Sequence, residues 1–150
     1  MSVFTQAELE YLASQRLGRL ATAGPGGRLQ NSPVGFRVNA EAGTIDIGGW
    51  NMGASQKFRN VRANGQVAFV VDDLVSERPW VVRGLEIRGH AEALTGAEPP
   101  RVTAGAEAPG ESAGASAAFM SGEIIRIHPE RVYGWGIEPG RDGRYRRDVG

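Results

Sequence analysis

Short segments that mostly alternate apolar and polar residues, separated by glycine-rich and asparagine-rich turns, follow one another along most of this chain; one of them, at 66–73, is instead a continuous apolar run, as in a strand buried on both faces. Such period-two alternation bounded by turn residues is the pattern of β-strands. The segments are LGRLATA (17–23), RLQNSPVGFRV (28–38), GTIDIGG (43–49), QVAFVVDD (66–73), VVRGLEIRGHAEAL (81–94), EIIRIH (123–128) and RVYGWGI (131–137). A chain built mainly from such strands must bury their apolar faces against one another, which predicts a mostly β protein.

Proline interrupts two places in this series. Proline has no backbone N–H to donate to a neighbouring strand, so Pro33 predicts a bulge or a sheet edge within 28–38. Pro129 lies between 123–128 and 131–137 and divides them into two strands. The pattern therefore predicts a small antiparallel barrel of six or seven strands.

Two short helices accompany the strands. Thr5 and Glu8 have the T-x-x-E spacing of a capping box, which predicts an N-terminal helix that ends near Gln15. A second helix is predicted to open at 53–55, after the third strand, and to stop at Asn64-Gly65.

Composition excludes several classes of function. The 150-residue chain carries 17 basic and 17 acidic residues, and this zero net charge argues against a dedicated nucleic-acid-binding protein. It has no cysteine, so a disulfide scaffold, a thiolate zinc site and a cysteine nucleophile are excluded. No apolar run approaches the ~20 residues of a membrane helix, and the N-terminus lacks the pattern of a signal peptide. We expect one cytoplasmic domain with no membrane or nucleic-acid partner.

Two regions differ in composition from the strands. Residues 95–122 are rich in Ala, Gly, Pro and Ser, and are too poor in large apolar residues to pack a core, so we interpret them as a low-complexity loop. Residues 138–150 are interpreted as a flexible tail. We expect the chain, 1–150, to form a single domain that includes both regions.

One stretch of the chain contains no acidic residue. Between Asp46 and Asp72 no Asp or Glu occurs, yet Lys57, Arg59 and Arg62 lie within it. A helix N-terminus favours an anion through its free N–H groups and its dipole, and nearby cations strengthen that preference. The window predicts a phosphate site on the rim of the barrel. The alternative is an ordinary solvated helix face, because the P-loop and G-x-G-x-x-G motifs do not occur.

The order of these segments resembles a known family. LGRLATAGPGGRLQNSPVGF, IDIGG, SQKFRNVRANGQVAFVVDD and WVVRGLEIRGHAEAL follow one another as in the pyridoxamine-phosphate-oxidase-like split β-barrel proteins, and are most similar to the branch that uses the deazaflavin F420. The resemblance covers about 3–137 and leaves out 95–122. It implies a Greek-key-like split β-barrel and a homodimer with two cofactor sites at the subunit interface.

The resemblance also implies a set of cofactor-binding residues. The helix after the third strand would bind the cofactor phosphate, the second strand and the end of the third would line the ring, and the partner subunit's segment around 80–83 would cover it. The implied residues are Asn31, Ser32, Pro33, Val34, Gly48, Gly49, Ser55, Gln56, Lys57, Arg59, Asn60, Trp80 and Arg83. The catalytic proton donor is not identified, and no metal is expected.

Two departures from the family pattern bear on the cofactor. Oxidases of vitamin B6 in this family have arginine near the positions of Ser32 and Gln56. The absence of these two arginines from this chain favours F420 over FMN. FMN remains the alternative, because F420 and FMN both carry a phosphate on a ribityl chain. The implied activity is hydride transfer from reduced F420 to an unsaturated small molecule of enone, polyketide or tetrapyrrole type. The alternatives are an FMN-binding oxidoreductase and a non-catalytic binder of a flavin, a deazaflavin or haem.

Overall fold

The computed structural model describes residues 3–96, 122–138 and 143–149. In chain order the elements of these residues are α1 (Gln6–Ser14), β1 (Leu17–Ala23), β2 (Leu29–Asn39), β3 (Thr44–Gly48), α2 (Gln56–Ala63), β4 (Gln66–Glu77), β5 (Trp80–Leu94), β6 (Ile124–Trp135) and β7 (Arg144–Asp148). A 3₁₀ turn, Met52–Ala54, leads into α2. The mostly β fold class predicted from the sequence is confirmed.

The strands form one antiparallel sheet that closes on itself. Its order is β3-β2-β1-β4-β5-β6-β7, and β3 also pairs with β6. The closing ladder joins Ile45 to Ile127 and Ile47 to Ile125. Six strands therefore make a closed ring, and β7 is added outside it along the second half of β6. This is consistent with the split β-barrel that the resemblance implies.

The core fills the barrel and extends under both helices. Buried apolar side chains come from every strand of the ring, and α1 adds Tyr11 and Leu12. The second helix and the turn before it bury Met52, Phe58 and Val61, each at most 4% exposed. Burial of these side chains fixes α2 against the sheet, because each contributes about 1.5–3 kcal/mol when removed from water.

The first helix begins as the sequence predicts. Thr5 Oγ1 accepts a hydrogen bond from the Glu8 backbone N–H at 3.1 Å, and Glu8 Oε1 accepts one from the Thr5 N–H at 2.9 Å. The Glu8 carboxylate is fully buried and also binds Tyr145 and Arg147 of β7. The capping residue therefore ties the N-terminal helix to the last strand.

Two predictions from composition and proline need correction. The tail interpretation of 138–150 is wrong for β7, which pairs with β6 over five residues. The division at Pro129 is also wrong, since β6 is continuous and the proline lies where the ladder with β5 shifts register at Arg88/Gly89. Glu130, next to the proline, is skipped in that ladder, and its carbonyl accepts from Val149 N–H instead.

Residues 97–121, which make up most of the low-complexity loop predicted at 95–122, lie outside the described residues. In the part of the chain that is described, no helix is long and apolar enough to cross a membrane.

Candidate functional site

The second strand is paired on both sides only at Gly35, where its ladder with β1 ends and its ladder with β3 begins. Residues 29–34 pair with β1 alone, and β3 joins at the Gly35–Gly48 pair. Pro33 lies in the half that pairs with β1 alone, and its missing N–H is compatible with the unpaired edge on the other side. Asn31 and Pro33 are exposed, whereas Val34 is buried. The predicted ring-binding segment is thus an open strand edge beside the barrel.

Ser32 and the glycines at the end of β3 flank this edge. Ser32 Oγ is buried and has no hydrogen-bond partner within the described residues. Gly48 is buried, and a Cβ on Gly49 would lie 3.1 Å from Met52 Cε. The structure therefore places an unused hydroxyl and bare strand backbone where the resemblance predicts the cofactor ring.

The helix α2 starts at a capped N-terminus. Ser55 Oγ accepts from Phe58 N–H at 3.3 Å and donates to the Met52 carbonyl at 2.6 Å. The Ser55 hydroxyl, predicted as a cofactor contact, is thus occupied by the helix cap. The helix N-terminus remains favourable for an anion because of its dipole.

A chain of hydrogen bonds runs from the surface of α2 into the β1–β2 hairpin. Arg59 donates to Gln56 Oε1 at 2.9 Å, and Gln56 Nε2 donates to Asn60 Oδ1 at 2.6 Å. Asn60 Nδ2 donates to Thr22 Oγ1 at 3.0 Å, and Thr22 donates to Gln30 Oε1 at 3.4 Å. Asn60 and Thr22 are each 2% exposed. Three predicted site residues, Gln56, Arg59 and Asn60, therefore belong to one network.

This network borders an open cleft of about 840 Å³, with Gln56 and Asn60 on one side and Gln30 on the other. The cleft is lined by Gly24, Pro25, Gly26, Arg28, Leu29 and Gln30 of the turn and strand after β1, and by Gln56 and Asn60 of α2. A Cβ on Gly24 would lie 2.9 Å from Asn60 Oδ1, so glycine lets this turn approach the helix closely. Thr22, Arg28 and Gln30 were not predicted from the sequence as site residues. The only signal was the cation in the turn sequence GPGGR.

The charges around α2 differ in how they are held. Lys57 is half-buried, and its ammonium has no carboxylate partner in the described part of the chain. Arg59 also donates to the Ala54 carbonyl at 2.9 Å. One acid from far along the sequence reaches this region, because Glu123 accepts from the Gly53 N–H at 2.5 Å. The segment between Asp46 and Asp72 contains no acidic residue, but the fold brings the Glu123 carboxylate into contact with it.

Trp80 and Arg83 lie apart from the cleft lining. Arg83 makes a bidentate pair with Asp73, at 2.8 and 3.1 Å, and covers the Tyr11 ring. The hydrogen bonds from Arg83 hold the pKa of Asp73 below its ordinary value, and burial raises the pKa of Tyr11. Trp80 is 69% exposed at the start of β5. Within one chain Arg83 thus supports α1, and neither residue contributes to the cleft.

The two histidines occupy the exposed face of β5 and β6. Their rings stack with centroids 4.8 Å apart, and His90 contacts Glu130 while His128 contacts Glu92. Among the described residues no group of three or more potential ligands is arranged to hold a metal ion.

Comparison with known proteins defines the class of this protein. The model of the pyridoxamine 5'-phosphate oxidase family matches residues 4–136, and the chain belongs to that family. A curated relative, the 5a,11a-dehydrotetracycline/5a,11a-dehydrooxytetracycline reductase of Streptomyces rimosus, is 46% identical over 136 residues, which cover 90% of this chain and 84% of that protein. The predicted family resemblance is confirmed.

Solved structures share the same barrel. The conserved hypothetical protein Rv2991 from Mycobacterium tuberculosis is 25% identical with a TM-score of 0.64, and the match covers 89% of this chain and 86% of that chain. A structure described as an F420 reductase is 25% identical with a TM-score of 0.58, over 82% of this chain and 94% of that chain. The likeness therefore extends over most of each protein.

Proposed function

We propose that this protein is an F420-dependent reductase of an unsaturated small molecule of the enone or polyketide type. The observation that carries the proposal is the 46% identity to a dehydrotetracycline reductase over 84% of its length. The F420 reductase among the structural neighbours supports the choice of cofactor. The tetrapyrrole class of substrate, which the resemblance also implied, has no support among these relatives.

The residues of the cleft fit the anionic part of such a cofactor. Arg28 and Gln56 line the cleft, and Lys57 and Arg59 lie on the same helix as Gln56. Cations and amide N–H groups donate hydrogen bonds, which an acceptor-only phosphate requires. In this proposal Lys57, Gln56 and Arg59 hold the phosphate near the N-terminus of α2.

The open edge of β2 fits the ring. Asn31, Ser32, Pro33 and Val34, with Gly48 and Gly49, would contact the ring, and the buried Ser32 hydroxyl would gain a partner there. Reduced F420, when bound, supplies a hydride to an electron-poor carbon of the substrate. The protein contributes by holding the two reactants face to face and by excluding water.

We further propose that the functional unit is a homodimer. Five large apolar side chains are 39–69% exposed around the β4–β5 hairpin, and such a patch marks an interaction surface. They are Leu74, Val75, Trp80, Val81 and Val82. In the dimer the partner's copy of this hairpin would cover the cofactor ring.

The second candidate is an FMN-dependent oxidoreductase, which membership of the pyridoxamine 5'-phosphate oxidase family favours. Titration of the purified protein with F420 and with FMN, followed by cofactor fluorescence, separates the two. We expect saturable F420 binding, and oxidation of reduced F420 when 5a,11a-dehydrotetracycline is added. Tight binding of FMN with no binding of F420 would refute the F420 proposal and support the FMN candidate.

A further inference from the structure

The direction of the hydrogen-bond chain beside the cleft is set by its chemistry. An arginine side chain has five N–H donors and no acceptor, so Arg59 can only donate. Gln56 must therefore accept with its oxygen, which leaves its nitrogen to donate to Asn60. The same reasoning applies to Asn60, because an amide that accepts with its oxygen has only its nitrogen left for Thr22.

The fixed direction of donation along this chain also determines how the Gln30 amide is oriented. The Thr22 hydroxyl is buried and uses a lone pair to accept from Asn60, so its single proton must be donated elsewhere. Gln30 Oε1, at 3.4 Å, is the acceptor. The Gln30 oxygen therefore turns inward to Thr22, and the –NH₂ group becomes the remaining polar end of a side chain that lines the cleft.

The –NH₂ group of Gln30 has no acceptor among the residues that the structure describes. Arg28, two residues earlier, lines the same cleft and adds a cation. The β1–β2 wall of the cleft thus presents donors, opposite the amides of α2. Donors arranged on two walls match a group whose oxygens only accept, such as a phosphate or a carboxylate.

We propose that Gln30 is a further ligand-binding residue, whose –NH₂ group donates a hydrogen bond to an anionic oxygen of the cofactor. The chain of hydrogen bonds that starts at Arg59 fixes the orientation of the Gln30 amide, because each group in the chain can donate in only one direction. Thr22 is then a positioning residue that acts through Gln30. This inference rests on the proposed function, because it takes the phosphate-bearing cofactor as the occupant of the cleft.

The test compares ligands with and without phosphate. Gln30→Glu keeps the shape of the side chain and replaces the donor with an anionic oxygen. We expect the Kd for F420 to rise about tenfold or more, and the Kd for its deazariboflavin core, which lacks the phosphate, to change less than about twofold. FMN and riboflavin form an equivalent pair. Gln15→Glu, which adds the same charge at a half-buried glutamine outside the cleft lining, is the matched control.

Variants of Thr22 test the relay. Thr22→Val keeps the shape but cannot donate to Gln30, so we expect about threefold weaker F420 binding, and Thr22→Ser should restore the wild-type Kd. If Thr22→Val does not fold, the comparison of Gln30→Glu with Gln15→Glu still decides the proposal. Equal F420 affinity in wild type and Gln30→Glu overturns the inference and leaves the proposed function standing. Failure of the wild-type chain to bind F420 or FMN overturns both.

Discussion

Lys57 is the cation for which the structure gives the sharpest prediction about cofactor binding. It is half-buried in the first turn of α2 and has no carboxylate partner in the described part of the chain. Lys57→Ala therefore breaks no native ion pair, and we expect the free energy of unfolding to change by no more than about 0.5 kcal/mol. A hydrogen bond from a charged group contributes about 1.5–3 kcal/mol, so the Kd for F420 should rise about 10- to 150-fold.

Arg62→Ala is the matched control, because it removes the same charge from the same helix. Arg62 lies five residues further along α2, or about 7.5 Å along the axis, and it covers the Phe58 ring at 5.0 Å. At such a distance in water a unit charge contributes about 0.5 kcal/mol, or about twofold in Kd. The assay is a fluorescence titration of F420, with thermal unfolding to check the fold. If the two variants raise the Kd equally, general charge rather than a Lys57 contact explains binding, and the phosphate assignment is wrong.

Three further predictions concern stability and assembly. Arg83→Met should lower the free energy of unfolding above pH 3.8, and the gap between wild type and variant should shrink as the pH falls below that value. The reason is that Arg83 depresses the pKa of Asp73, and this stabilising contribution is lost when Asp73 is protonated. Urea unfolding at several pH values would measure the gap, and a gap that does not change with pH would contradict the prediction. Gly89→Ala should cost about 3 kcal/mol, since its Cβ would lie 2.1 Å from the His128 carbonyl oxygen, and an unchanged melting temperature would refute this. Val81→Lys should convert the proposed dimer into a monomer in size-exclusion chromatography, while an unchanged elution volume would exclude this surface as the interface.

The candidate site was predictable where it depends on helical spacing. Residues 56, 59 and 60 fall on one face of a helix with 3.6 residues per turn, and the structure joins their side chains in one network. Thr22 and Gln30 were missed because a polar residue in a strand has no signal of its own. They meet Asn60 only because buried apolar side chains pack α2 over the β1–β2 hairpin.

The last strand, β7, could not be predicted from its own sequence. Its sequence, RYRRD, has no apolar alternation, so nothing in the local pattern predicts a strand. Its order comes from pairing with β6 and from the buried Glu8 carboxylate, which lies more than 130 residues earlier in the chain. Contacts between residues that far apart in the chain leave no signal in a local sequence pattern.

The sequence by itself determined β1 to β5, the course of β6 apart from the break expected at Pro129, the two helices and the family, because alternation, capping residues and turn residues act over a few positions. It also placed the cations of α2. The tertiary structure alone decided that β3 closes the ring against β6, that Glu123 reaches Gly53, and that a cleft opens between α2 and residues 24–30. The physical reason is distance along the chain, since each of these features joins groups that only the packed core brings together.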